Sequence, residues 1–253
     1  MLSSRLTQQH LKITNHLKDR IYSGNLAPGD QLPSEAELCE KFATSRGPVR
    51  QAMATLRSEG IISSGRGRRS VVLNSHRAET FEAVLSVSSW FESMGITPSQ
   101  KTLWLARRPA PAKAAKALRL KEDDPIVFVH RIRSANGIPA IVERQYFPLE
   151  IGQQLLNFDA DNGSVHSYLR QQGVEFDNVY RRMTVESASE EDARALGIDA
   201  GQPVFRVCFE IADHSGTALE YADNVYRTDQ FEFALTNVRG GSSPLEVLFT
   251  ADA

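Results

Sequence analysis

The sequence predicts an α+β protein in two parts: a small basic head of three helices and a β-hairpin, then a larger body built on an antiparallel sheet with flanking helices. Three observations carry this reading. Charge is split along the chain. Residues 1–77 hold 12 Lys+Arg against 6 Asp+Glu, a net of +6, and residues 78–253 hold 17 against 25, a net of −8, which restores the −2 of the whole chain. Apolar residues in the first sixty positions recur at helical spacing, whereas later ones run in strand-length segments bounded by turn residues. Finally, Ala117-Leu118-Arg119-Leu120 with Pro125-Ile126 recurs 78 residues later as Ala195-Leu196-Gly197-Ile198 with Pro203-Val204. Each copy leads into a strand, a Gly-containing turn and a strand bearing a glutamate, Glu143 or Glu220. Such a duplication argues for one sheet with pseudo-symmetric halves, against a parallel α/β core.

The chain has 253 residues, 41% of them hydrophobic, enough for two domains with real cores. No apolar run is long enough to span a bilayer, and Met1 to Leu11 lacks the apolar centre of a signal peptide. Cys39 and Cys208 lie far apart and fit no metal or redox spacing, so the expected setting is reduced and cytoplasmic, with no metal or cofactor. A basic head on an acidic body predicts that the head alone meets a polyanion.

In the head, Leu11, Ile13, Leu17 and Ile21 form a helical stripe closed by Gly24 and Pro28-Gly29. Ser34 followed by Glu37 is a capping box that starts a second helix burying Leu38 and Phe42. A third helix starts near Thr44-Ser45. Its Val49, Ala52, Met53 and Leu56 fall at i, i+3, i+4 and i+7, and Pro48 is tolerated in its first turn. Arg46 and Arg50 lie four apart, off that stripe and near the N-terminal end, where a recognition helix meets base edges in the major groove. Arginine suits the task because its planar fork can bond guanine O6 and N7 together. Ile61-Ile62 and Ser70 to Leu73 read as short strands joined by the basic tip Gly65-Arg66-Gly67-Arg68-Arg69, able to reach a phosphate or a minor groove. Helix, helix, arginine-bearing helix and basic hairpin in this order define a winged helix-turn-helix that binds double-stranded DNA.

At this point the sequence resembles the GntR family of regulators, through Pro28-Gly29-Asp30-Gln31-Leu32-Pro33-Ser34-Glu35, Ser45-Arg46, Val49-Arg50-Gln51-Ala52 and Gly65-Arg66-Gly67. The resemblance implies operator contacts from Arg46, Arg50 and Gly65. It places Ser34, Thr44, Ser45, Gly47, Arg66, Gly67 and Arg68 in the same DNA-binding region. The chain departs from many members at Ala36, where arginine is common, and at Gly47-Pro48, where threonine is frequent.

Residues 1–75 are thus read as the DNA-binding domain, 76–80 as a linker, 81–238 as the second domain and 239–253 as a flexible tail containing Gly-Gly-Ser-Ser-Pro. In the second domain, strands are expected over 101–107, 126–134 and 139–147, with Ala135-Asn136-Gly137 as the turn of a hairpin. Helices are expected over 111–120, 164–172 and 189–196. Arg131 and Arg133 alternate on one face of an otherwise apolar strand, and Glu143 interrupts an equally apolar partner strand. A three-residue loop would set Arg131 opposite Glu143 on one face, and a two-residue loop would not. The residues alone allow either a solvated cross-strand ion pair or a pair of guanidinium forks for phosphate or carboxylate.

Arg131-x-Arg133-x-Ala135-Asn136-Gly137-x-Pro139 with Glu143, then Glu220-Tyr221 and Val225-Tyr226-Arg227-x-Asp229, look like the UTRA effector domain of the HutC subfamily. Together the resemblances cover roughly residues 8–235. They imply a chorismate-lyase-like fold that binds without reacting, a homodimer joined through this domain, and an effector pocket at Ser88, Arg131, Arg133, Glu143, Ser164, Glu220 and Tyr226. Family effectors include sugar phosphates, urocanate, fatty acids and phosphonate-related ligands. Ser89-Trp90 replaces an acidic pair of the sugar-phosphate members, and Val165-His166 replaces their Leu-Tyr, which adds His166 to the candidate pocket. Glu143 can neutralise one of the two arginines, so a net positive pocket and an anionic effector are expected. The implied function is a repressor released from its operator by a small anionic metabolite. A lyase- or hydrolase-like enzyme needs a placed acid, base or nucleophile, and the sequence offers only scattered Glu143, His166 and Glu220, so no catalytic residue is assigned. An architectural DNA-binding protein, whose second domain only dimerises, is the third class.

Overall fold

The structure is a computed structural model describing residues 2–63, 69–73, 84, 86–235 and 245–250. The chain divides into two compact units, residues 1–79 with 233–247 and residues 80–232 with 248–253.

The first unit is built on α1 (Leu2–Tyr22), α2 (Glu35–Lys41) and α3 (Arg46–Ser58). Ser34 Oγ accepts from Glu37 N while Glu37 Oε2 accepts from Ser34 N at 2.6 Å, so the capping box forms as its spacing predicts. Val49, Ala52, Met53 and Leu56 are all buried and pack with Ile13, Leu17 and Ile21 of α1. Leu11, expected in that stripe, is 49% exposed, because burial follows an i, i+4, i+8 line through Ile13, Leu17 and Ile21 that leaves Leu11 outside. After α3, Ile62 pairs antiparallel with Val72, and Val71 pairs with Gln31.

The second unit is a six-stranded antiparallel sheet in the order β1-β2-β3-β6-β5-β4. Its strands are β1 (Pro98–Pro109), β2 (Pro125–Ala135), β3 (Ile138–Pro148), β4 (Asn178–Ser187), β5 (Pro203–Ala212) and β6 (Ala218–Arg227). Helix α5 (Ala112–Leu118) joins β1 to β2, and α8 (Glu190–Leu196) joins β4 to β5. The two halves therefore repeat strand, helix, strand, strand and meet at β3–β6, as the 78-residue repeat predicts. The helices even end alike, in left-handed residues, Arg119 at φ 57° and Gly197 at φ 68°.

One face of the sheet is covered by α5 and α8, around Ile126, Phe128, Val142 and Val225. The other face carries α4 (Val87–Ser93), α6 (Leu149–Gly152), a 3-10 turn over Gln153–Asn157, and α7 (Val165–Gln171). A Cβ on Gly152 would lie 2.5 Å from Val127 Cβ, so only glycine lets α6 approach β2 this closely. Strands β7 (Phe231–Leu235) and β8 (Leu245–Phe249) form a separate pair. That corrects the expectation of a flexible tail from 239: Val247 is 6% exposed, and residues 245–249 are a strand. Among the described residues, no helix is long and apolar enough to cross a membrane.

Candidate functional site

The hairpin β2–β3 decides which charges meet. Its loop is the two residues Asn136 and Gly137, at φ 50° and 84°, the left-handed pair of a type I′ turn, with Ala135 opposite Ile138. This corrects the expectation that a two-residue loop keeps Arg131 and Glu143 apart. The register shifts between Ser134, opposite Pro139, and Arg133, opposite Ile141, so one extra residue, Ala140, enters β3 as a bulge. Arg131 then stands opposite Glu143.

The pair is also not on a solvated face. Arg131, Arg133, Glu143 and Glu220 are each 3% exposed or less, and they form a connected array under α4 and α7. Arg131 Nε donates to Glu143 Oε2 at 2.9 Å, and its Nη2 donates to Gln145 Oε1 at 3.3 Å. Arg131 Nη1 reaches the carbonyls of Ala160 and Gly163 at 3.3 and 3.4 Å. Gln145 Nε2 donates to Glu220 Oε1 at 2.9 Å, and Glu220 Oε2 lies 2.7 Å from His166 Nε2. The His166 ring sits edge-on to Phe176.

Arg133 is the exception in this array. Its Nη2 donates to Ser88 Oγ at 2.6 Å, and Nη1 is 4.0 Å from a Glu143 oxygen already committed to Arg131. Its Nε is buried and has no hydrogen-bond partner among the described residues. Burial pushes the guanidinium down to about 10, against the pull of Glu143. A buried cation with one hydroxyl, a distant carboxylate and an unbonded donor is a group that a hydrogen-bonding anion could satisfy.

Ser164 caps α7 by accepting from Ser167 N, and its Oγ lies 3.1 Å from Ser86 Oγ, the cap of α4. Tyr226, 5% exposed, stands opposite Ile141 beside Trp90 and Phe231. An open cleft of about 490 Å³ lies against the array, lined by Ser88, Gln100, Asp161, Gly163 and Ser164 among others. The structure thus gathers Arg131, Arg133, Glu143, His166 and Glu220 inside, and Ser88 and Ser164 on the cleft. Gln145 is the residue that the sequence reading misses. It lies two positions beyond Glu143 on the same strand face, which is the signal that could have found it.

In the first unit, Arg46, Gly47 and Arg50 are exposed at the start of α3. Arg50 Nε donates to Glu35 Oε2 at 3.2 Å, and the Arg46 side chain makes no hydrogen bond or ion pair among the described residues. Ser45 is the α3 N-cap residue, but its side chain makes no cap bond. Thr44 is half-buried, and Ser34 is engaged in its cap. Gly65, Arg66, Gly67 and Arg68 fall outside the described residues. Beside them, Arg69 lies 3.5 Å from Glu37.

A basic helix-turn-helix unit and a sheet with a buried cluster of charged side chains beside an open cleft are the parts of a ligand-binding transcriptional regulator. Residues 93–232 match the UTRA domain, and residues 9–72 match the bacterial regulatory proteins of the gntR family. The chain belongs to this family of GntR regulators with a UTRA domain. It is 29% identical to the HTH-type transcriptional repressor NagR of Bacillus subtilis, over 88% of this chain and 92% of that protein. It is 24% identical to the regulator GgaR of Escherichia coli, over 92% of each. In fold it is similar to YydK of Bacillus subtilis, with a TM-score of 0.71 and 24% identity, covering 87% of this chain and 94% of the other. PhnF of Mycobacterium smegmatis follows the same fold at a TM-score of 0.53, with 23% identity over 85% of this chain and 94% of that one. These relatives are regulators, and the enzyme alternative is set aside on that ground.

Proposed function

We propose that the chain is a cytoplasmic, homodimeric repressor that releases its operator when a small anionic metabolite docks on Arg133. The observation that carries this reading is the buried Arg133, whose Nε has no partner among the described residues and whose nearest carboxylate already serves Arg131. Ser88, beside Arg133 and on the open cleft, gives the anion a hydroxyl and an entrance. Phosphate, phosphonate and carboxylate all match a guanidinium fork. Operator contact falls to Arg46 and Arg50 on α3, with the Gly65–Arg68 tip as the wing. Release requires that the anion bind the DNA-competent and DNA-free forms unequally.

The test is Arg133→Ala followed on labelled operator while fractionated anionic metabolites are added. The expected variant binds operator as tightly as wild type and never lets go. A variant that still responds with wild-type sensitivity would falsify the anion-anchor assignment, and Arg133 would be a structural partner of Ser88 alone.

A further inference from the structure

The buried array contains one more titratable group than its charge balance needs. Arg131 and Arg133 are matched by two carboxylates, Glu143 and Glu220, the second reached through Gln145. Two cations and two anions cancel, so the net positive pocket expected from Glu143 alone is not what the sheet builds. The fifth member is His166, 3% exposed, with Nε2 2.7 Å from Glu220 Oε2. Imidazole is the side chain whose charge ordinarily changes between about pH 5 and pH 8. Its proton therefore decides whether the array is neutral or carries one positive charge.

An anion entering a neutral buried array adds a charge that nothing compensates, which is strongly disfavoured away from water. A proton taken up beside it offsets one unit of that charge. Building on the reading of Arg133 as the anion anchor, we infer that His166 is the charge-setting specificity residue of this site: the anionic effector enters together with one proton, held on His166 against Glu220. The surroundings permit this. The imidazole contacts Glu220 of β6, whose other oxygen accepts from Gln145 of β3, and Gln145 in turn accepts from Arg131 of β2, which bonds Glu143. Burial pushes the Glu143 carboxyl up, while Arg131, Arg133 and then His166 pull it down, so the histidine is electrostatically felt across the array. The segment after α7 contributes the Phe176 ring, and β5 presents Phe209 and Ile211 on this face. Neither element brings a cation to this face. Arg170 lies one turn further along α7, and Arg181 of β4 stands opposite Phe209. Both are arginines of fixed charge, so the imidazole in contact with Glu220 is the group that can change its charge.

Sodium sulfate is a suitable probe because it stays a dianion across the range, so one proton offsets half of the charge it brings. Full-length protein is titrated calorimetrically between about pH 6 and pH 8 in two buffers of different ionisation enthalpy. The expected affinity weakens by up to about tenfold per pH unit where His166 loses its proton, with close to one proton absorbed per sulfate at the alkaline end. His166→Gln should bind sulfate with a flat pH profile and no proton uptake, and Arg133→Ala should not bind it. Sulfate binding that needs Arg133 but has no pH slope, or the same slope in His166→Gln, overturns the role of His166 alone. Sulfate that fails to bind, or that binds Arg133→Ala equally well, overturns the anion anchor and this inference with it. Should His166→Gln misfold, the ring resonance of His166 in the native chain decides. It should move to the imidazolium position when sulfate is added at mildly alkaline pH, and a stationary resonance overturns the proposal.

Discussion

Buried ionisable residues set the acid response of the second unit, and two of them act in different pH windows. Glu143 is pushed up by burial and brought below its ordinary range by Arg131, Arg133 and His166. A carboxyl lowered in the folded state contributes stability that is present above its unfolded value and lost as pH falls through the folded one. Acid unfolding below about pH 4.5 should therefore have a component that disappears in Glu143→Gln. At neutral pH the same variant should lose about 3–5 kcal/mol, because two buried guanidinium groups are left with too little counter-charge. Urea unfolding across pH measures both effects. His130 lies on the opposite face, 5% exposed, with Nε2 buried and unpartnered among the described residues. Burial, then Arg144, lowers it from 6.5. Its neutral form is the stable one, so its stability is present above about pH 6.5 and lost as pH falls through its lower folded value. His130→Leu should blunt the drop in urea midpoint between about pH 6.5 and pH 5, with no change above pH 7. A drop equal to that of wild type would acquit this histidine.

At the level of elements, what could be read from sequence was local. Ser34 and Glu37 are three residues apart, and Val49, Ala52, Met53 and Leu56 carry their own period, so α2 and α3 were legible. Strand β4 was not, because as an edge strand with Arg181 and Arg182 at its centre it is largely exposed and shows little apolar contrast. Helix α4 was hidden by its serines, although Trp90 and Phe91 are buried. The array was legible only in part. Arg131 and Glu143 meet across one hairpin, but His166 reaches Glu220 across 54 residues, and no spacing announces that contact. Helix α3 carries the prediction at this scale. Arg46 is exposed at its start, and Arg50 is held by an exposed Glu35 contact that costs little to give up. Arg46→Ala and Arg50→Ala should each weaken operator binding by about 1–3 kcal/mol while leaving random-sequence binding nearly unchanged, as gel shifts on both DNAs would reveal. Equal losses on both would assign these arginines to phosphates.

For the whole molecule, one winged helix makes too few contacts to find an operator in a genome, and two at fixed spacing roughly square the discrimination. Sedimentation of the full-length chain at micromolar concentration should give a dimer. Its footprint should cover two half-sites separated by about one helical turn or a multiple of it. A monomer with a single protected half-site would refute this. The duplicated sheet also fixes stoichiometry. In the second half, Phe209 and Ile211 take the places that Arg131 and Arg133 hold in the first, and Phe209 faces Ala222 where Arg131 faces Glu143. Only the first half carries the two buried arginines, so saturation should come at one effector per chain.

The extra residue in β3 makes recognition here a question of parity. Side chains alternate across a sheet, so if β3 paired regularly through Ala140, Val142 would stand opposite Arg131 and Glu143 would present to the other face. A homologue could keep every one of these residues, lose only the bulge at the equivalent of Ala140, and turn its carboxylate toward α5 and α8. Its composition would look unchanged while its ligand chemistry was gone. Where the bulge falls is as much a part of the binding code as the letters themselves.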